Sequence, residues 1–113
     1  MANVEITNDN TEEIKRRTAA AIRRGLEAVG IQAASNAKVE ITMDPVRVDT
    51  GRLRNSITHA VQDESVYIGT NVEYAIYVHE GTSKMAPNRF LKNAAVRYKV
   101  DYKDIFEQML KNG

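Results

Sequence analysis

Any chemistry in this chain would have to start from two histidines, because its 113 residues contain no cysteine. His79 is followed by Glu80, which opens a zinc-peptidase helix motif. That motif needs a second histidine four residues after the first, so that both imidazoles face one metal. Position 83 is Ser83, and the pattern fails there. Asp49, Ser56 and His59 lie close together in sequence and invite a nucleophilic triad. Triads are defined by spatial geometry, however, and no glycine-flanked serine elbow is present. His79 therefore reads as a partly buried or interface histidine, and His59 as a half-buried packing residue. Gly51, Gly69 and Gly81 stand alone, outside any phosphate-binding or dinucleotide fingerprint. Without cysteine, disulfide scaffolds, thiolate zinc sites and cysteine nucleophiles are excluded. The residues supply no positive argument for an enzyme, a metal or a cofactor, and none is expected.

The remaining candidate is a basic surface. Arg16 and Arg23 share one helical face, as do Arg17 and Arg24, so four guanidiniums can follow a phosphate backbone. Glu12, Glu13 and Glu27 interleave with them, which equally describes a salt-bridged solvent or subunit face. Sixteen Lys plus Arg against fifteen Asp plus Glu leave a net charge of +1, so the chain is not a globally basic nucleic-acid binder. A small DNA-binding regulator using Arg16, Arg17, Arg23 and Arg24 stands as the alternative reading of function.

The elements that must carry these residues follow from periodicity. Composition and length, with 42% hydrophobic and 27% charged residues, suit one globular domain over residues 1–113. No apolar run is long enough to span a membrane, and the first residues lack a signal-peptide pattern. Val4 and Ile6 alternate as in a short edge strand. Asn10 and Glu13 have capping-box spacing. From there Ile14, Thr18, Ala21, Ile22, Gly25, Leu26, Val29, Ala33, Asn36 and Ala37 recur at helical steps, predicting a long helix over about 10–40. Gly25 and Gly30 each cost that helix about 1 kcal/mol relative to Ala, and a bend near them is expected. Lys38 to Met43 reads as either a last helical turn or a short strand. Asp44-Pro45 ends it.

Asp49-Thr50-Gly51 marks a turn, with Asp49 or Thr50 capping a short turn over Arg52–Asn55. Ser56 to Gln62 and Val66 to Thr70 read as a hairpin about Asp63-Glu64-Ser65. Asn71 is placed to cap a short helix over 72–80, although Tyr74, Ile76 and Val78 also alternate as in a strand. Gly81 suits a left-handed cap after it. Thr82 to Asn88 is a loop. Phe90, Leu91, Ala94, Ala95 and Tyr98 restart helical spacing, and Asp101 is placed to cap a last segment. The predicted fold class is α+β: a long N-terminal helix packed on a small antiparallel sheet, followed by C-terminal helices.

One ordered set of motifs is more specific than any of these. Val48-Asp49-Thr50-Gly51-Arg52-Leu53 comes first, then Tyr74-Ala75 running to Gly81-Thr82, then Phe90-Leu91 at a helix start. This order and spacing resemble the small tail-component family of siphovirus-type phages and prophages. It is the "gene ten" family of the HK-type phages, also described as neck, tail-completion or head–tail joining proteins. The chain departs from the family pattern by two extra residues, Val46 and Arg47, and by Arg89 and Asn93 at positions where the family often has proline.

The resemblance implies a structural virion protein of the neck–tail region, formed in the host cytoplasm and assembling as a ring of identical subunits, in solution or only on the virion. Its implied partners are head-closure or connector proteins and tail terminator or tail-tube proteins. DNA would be passing cargo, and no membrane is involved. Asp49, Thr50, Gly51, Arg52, Leu53, Tyr74, Ala75, Gly81, Thr82, Phe90 and Leu91 then read as fold-setting positions. The loop Thr82, Ser83, Lys84, Met85, Ala86, Pro87, Asn88 and Arg89 reads as the place where partners dock, with the hairpin tip at 63–65 as a second exposed site. Basic residues at 15–24 and acidic ones at Asp101, Asp104 and Glu107 would offer complementary subunit edges.

Overall fold

The computed structural model describes residues 2–6, 19–42, 50–83 and 87–112. Its architecture is α+β. Strand β1 (Ala2–Ile6) is followed by helix α1 (Ala19–Thr42), helix α2 (Thr50–Ser56), strands β2 (Thr58–Gln62) and β3 (Ser65–Thr70), and helices α3 (Ala75–Glu80), α4 (Phe90–Arg97) and α5 (Lys99–Asn112). The strands form one antiparallel sheet in the order β1-β3-β2.

Alternation decides which side of the sheet is buried. Val4, Ile68 and His59 form one row and Ile6, Val66 and Val61 the next, all on the face against the helices. Glu5, Tyr67 and Ala60 form a row on the opposite, more polar face. The hairpin turns at Asp63, which takes a positive φ of 56°. Asp is among the few non-glycine residues that adopt this region readily.

Helix α1 is the central packing element, contacting β2, β3, α2, α4 and α5. Its buried face contains Ala21, Ile22, Gly25, Leu26, Val29, Ala33, Asn36 and Ala37, as the helical spacing predicts. The helix continues through Thr42, so the stretch at 38–42 is helical. There the apparent alternation is misleading: Ile41 and Glu40 are both buried, while Val39 is exposed. The predicted start at Asn10 and the residues Glu12, Glu13, Arg16 and Arg17 lie outside the described residues.

Gly25 and Gly30 act as packing notches. A Cβ at Gly25 would lie 2.6 Å from Cδ1 of Phe106, and one at Gly30 would lie 2.4 Å from Cδ2 of His59. Each glycine costs helix propensity, and each lets a ring from another element close onto the helix axis. Antiparallel packing of α5 on α1 follows from two contacts, Asn36 with Tyr102 and Gly25 with Phe106. The acidic segment from Asp101 to Glu107 therefore lies alongside the 25–36 stretch of α1 in the same subunit.

Three cap assignments also change. The segment after β3 is a helix, but it starts at Ala75, with Tyr74 at its N-cap and no side-chain cap, so Asn71 does not cap it. The Thr70 hydroxyl instead accepts the Val72 N–H, fixing the turn that a cap would have held. Asp101 lies inside the first turn of α5, which begins at Lys99 after a break at Tyr98. Gly81 does take a positive φ of 79°, but its ψ of 174° is extended and not left-handed helical. That combination is open essentially only to glycine.

Candidate functional site

The motif residues converge on the side of the molecule formed by α2, α3 and the start of α4. Leu53, Ala75, Phe90 and Leu91 are the anchors, each at most 1% exposed. Burying Phe90 and Leu91 contributes roughly 1.5–3 kcal/mol each. Asp49 lies outside the described residues. Gly51 is helical, and a Cβ built there meets nothing within 4 Å, so neither crowding nor backbone geometry requires glycine.

Between α2 and α3, Arg52 is the exposed link. Its Nη2 lies 3.4 Å from both Glu73 carboxylate oxygens, and its guanidinium carbon is 5.5 Å from the Tyr74 ring centroid. A hydrogen bond to the backbone, followed by the Arg52 charge, holds the Glu73 carboxyl below its usual range. Behind this pair runs a chain of small hydroxyls. The Val72 N–H donates to Thr70 Oγ1, Thr70 and Ser56 share a short hydroxyl contact, and Ser56 Oγ donates to the Leu53 carbonyl. This chain ties the end of α2 to the end of β3.

At the other end of α3, His79 acts in an unforeseen way. It is buried, and its Nδ1 lies 2.9 Å from Glu80 Oε1. Its Nε2 accepts the Lys92 N–H at 3.3 Å. Lys92 is the third residue of α4, whose first amides have no partner within their own helix. His79 therefore serves as a cap from a distant part of the chain, with Nδ1–H turned to the carboxylate and Nε2 free to accept. Its ring also meets Phe90 edge-on, with centroids 5.6 Å apart. The hydrogen bond with His79 is the main cause holding the Glu80 carboxyl below its usual range. Sequence alone offers no spacing rule for such a cap, because the two residues belong to different helices.

The loop expected to dock partners starts and ends on α3. Gly81 N–H donates to the Tyr77 carbonyl and Asn88 N–H to the Val78 carbonyl. Thr82, Ser83, Pro87 and Arg89 are exposed, and Arg89 reaches within 3.9 Å of Glu80. Lys84, Met85 and Ala86 lie outside the described residues. Of the basic face, Arg23 and Arg24 are exposed, and Arg23 lies 3.9 Å from Glu27.

Among the described residues, which leave out Asp49, the histidines and Ser56 have other partners. His79 has both nitrogens engaged, Ser56 bonds to Leu53 and Thr70, and His59 bonds to Glu27 at 2.8 Å. Among the described residues no three His, Asp or Glu side chains gather as a metal site would require, and no helix is long and apolar enough to cross a membrane.

No curated protein and no solved structure was found to match the chain. A family model does match over residues 7–81, described as "Bacteriophage HK97-gp10, putative tail-component". The matched span runs from before α1 to Gly81, taking in α1, α2, the hairpin and α3. A phage tail component is a structural part of the virion that works through contacts with other virion proteins. The chain belongs to the HK97-gp10 family of phage tail components.

Proposed function

We propose that this protein completes the phage tail or joins it to the head, acting as a ring of subunits coaxial with the tail. The family match over residues 7–81 carries this reading. Residues 1–113 act in it as one unit. One side of the ring meets the head-closure or connector proteins, and the other meets the tail terminator or tail-tube proteins. DNA passes through as cargo, and no cofactor takes part.

Partner docking falls to the loop from Thr82 to Arg89. A docking loop needs fixed ends and exposed side chains. Hydrogen bonds to the Tyr77 and Val78 carbonyls supply the first, and the exposure of Ser83, Pro87 and Arg89 supplies the second. The residues beneath it, Leu53, Ala75, Gly81, Phe90 and Leu91, hold its position without touching a partner.

The test is a phage or prophage lacking this gene. Filled heads and separate tails should accumulate, visible by negative-stain microscopy, and wild-type protein supplied in trans should restore joined particles. A Ser83→Arg, Arg89→Glu protein should keep wild-type thermal stability yet fail to restore joining. Infectious, fully joined particles in the complete absence of the protein would overturn the proposal.

A further inference from the structure

Both outer strands of the sheet, β1 and β2, have an open edge among the described residues. Which backbone groups face outward follows from register. The two-residue turn makes Gln62 and Ser65 a hydrogen-bonded pair, and pairing then alternates through Ala60–Tyr67 and Thr58–Gly69. The N–H and C=O of His59 and Val61 therefore point away from β3. By the same alternation those of Asn3 and Glu5 point outward from β1. Each edge is five residues long and offers the same spacing of donors and acceptors.

Open edges are normally defended by charges, prolines or bulges. β2 reads Thr58-His59-Ala60-Val61-Gln62 and carries none of these on its exposed side. Beside it, Ile31, Ala34, Ser35 and Lys38 of α1 form a groove with Ile57. Ile31 is 61% exposed there, a large apolar side chain left in water. At the opposite edge, α4 packs on β1 and leaves Val96 51% exposed.

We infer that the β2 edge receives the β1 edge of a second copy of this chain, a conclusion that rests on the ring reading above. Three features select this occupant. β1 and β2 both run antiparallel to β3 and hence parallel to each other, so a neighbour turned about an axis along the strands presents β1 to β2 in the same direction. The joined sheet keeps one apolar face and one polar face, because Val4 and Ile6 continue the row side of His59 and Val61. The charges also allow it: β1 brings Glu5 on the polar face, where β2 brings no charge to oppose it. The contact is heterologous, pairing two different edges, and such contacts close into rings when the rotation allows. It also places Val96 of one copy on the side where Ile31 of the next is exposed.

A chain without cysteine makes the test direct. Glu5 and Ala60 lie in the same row, each paired with Tyr67 from opposite sides. They are two strand spacings apart within one subunit, about 9–10 Å, too far for an internal disulfide, which needs Cα atoms within about 7 Å. A Glu5→Cys, Ala60→Cys protein should oxidise to a ladder of multimers on non-reducing gels. Glu5→Cys chains mixed with Ala60→Cys chains should give the mixed dimer as the main product. Charge exchange supplies a second arm. Ala60→Glu should weaken self-association about tenfold or more, and adding Glu5→Lys should restore it. A main product of Ala60→Cys homodimers overturns the inference, since it joins β2 to β2. Rings seen by light scattering without the mixed cross-link also overturn it, while leaving the ring reading intact. A wild-type chain that stays monomeric up to millimolar concentration, with no cross-link, overturns the inference, while the ring reading falls only with the particle test above.

Discussion

The seam between α1 and α5 and the surface between α2 and α3 are built by opposite means. At the seam, the Phe106 ring sits in the notch of Gly25, and Tyr102 is buried with its hydroxyl fully engaged. That hydroxyl donates to the Ala94 carbonyl and accepts from Asn36 Nδ2, whose Oδ1 in turn accepts from Gln32. At the α2–α3 surface, the link is an exposed Arg52 shared between Glu73 and Tyr74. Exposed pairs of this kind contribute little to stability, because water screens them. The exposed link of the family motif thus adds little to the fold, while the two notch glycines, Gly25 and Gly30, lie outside that motif.

The largest expected effect tests the notch. Gly25→Val inserts a branched side chain where even a Cβ would lie 2.6 Å from Phe106. Phe106 is fully buried and has no open space to enter. Overpacking should cost about 1–3 kcal/mol or more, and a second-site Phe106→Leu should recover part of it. Urea denaturation of the three proteins checks this. An unchanged midpoint for Gly25→Val would show that α5 is not locked to α1 as described.

Next comes the Tyr102 hydroxyl. Tyr102→Phe leaves the Asn36 amide and the Ala94 carbonyl without their shared partner, at about 1–3 kcal/mol. The same residue sets an alkaline limit. Burial pushes the Tyr102 phenol up to about 12 from the ordinary 10. The folded state then holds its proton where the unfolded chain has lost it, so this contribution is complete below pH 10 and disappears as pH rises towards 12. Burial and the nearby Glu40 carboxylate raise Tyr98 as well, in the same sense. Stability measured from pH 9 to 12 should fall in the wild type and fall less steeply in Tyr102→Phe, with a residual slope from Tyr98.

Of similar size is Gly81→Ala, which forces a non-glycine residue into φ 79°, ψ 174°. The strain is on the order of 1–3 kcal/mol, visible as a lowered melting temperature. Because the Gly81 N–H also closes α3 on the Tyr77 carbonyl, proteolysis within residues 82–89 should accelerate. An alanine variant that melts with the wild type would place Gly81 in an ordinary conformation.

How much of this was legible in the sequence depends on whether a residue answers to its neighbours in the chain or to distant ones. The buried stripe of α1, the hairpin about Asp63-Glu64 and the burial of Phe90 and Leu91 follow from periodicity, and periodicity is local. Gly25 and Gly30 announced only their propensity cost, because the rings that need them come from positions 106 and 59. Glu40 read as a polar residue in an alternating stretch. It is buried, and it receives Arg97 Nη1 at 2.9 Å and the Tyr98 hydroxyl at 3.3 Å from another helix. His79 was read as a partly buried or interface histidine, and it is buried. Its cap on Lys92 and its carboxylate contact with Glu80 appear only once α3 and α4 have folded against each other. The ordered motifs from Val48 to Leu91 were legible as family marks without showing which of them bear load.

The smallest effect is the most discriminating, because it separates those two roles at one position. Gly51 belongs to the family motif, yet it lies in the first turn of α2 with nothing within 4 Å of a Cβ. Its φ is not positive, since Gly81 is the only described glycine with that property. Alanine is favoured over glycine in a helix by about 1 kcal/mol at most, so Gly51→Ala should hold or slightly raise the melting temperature. If glycine served the isolated fold, the variant would instead lose stability. A variant that is as stable as wild type but fails to restore joined particles would assign Gly51 to a contact with another virion protein, where a bare backbone permits close approach. Thermal melts and particle complementation with the same variant therefore decide whether this part of the motif is retained for folding or for assembly.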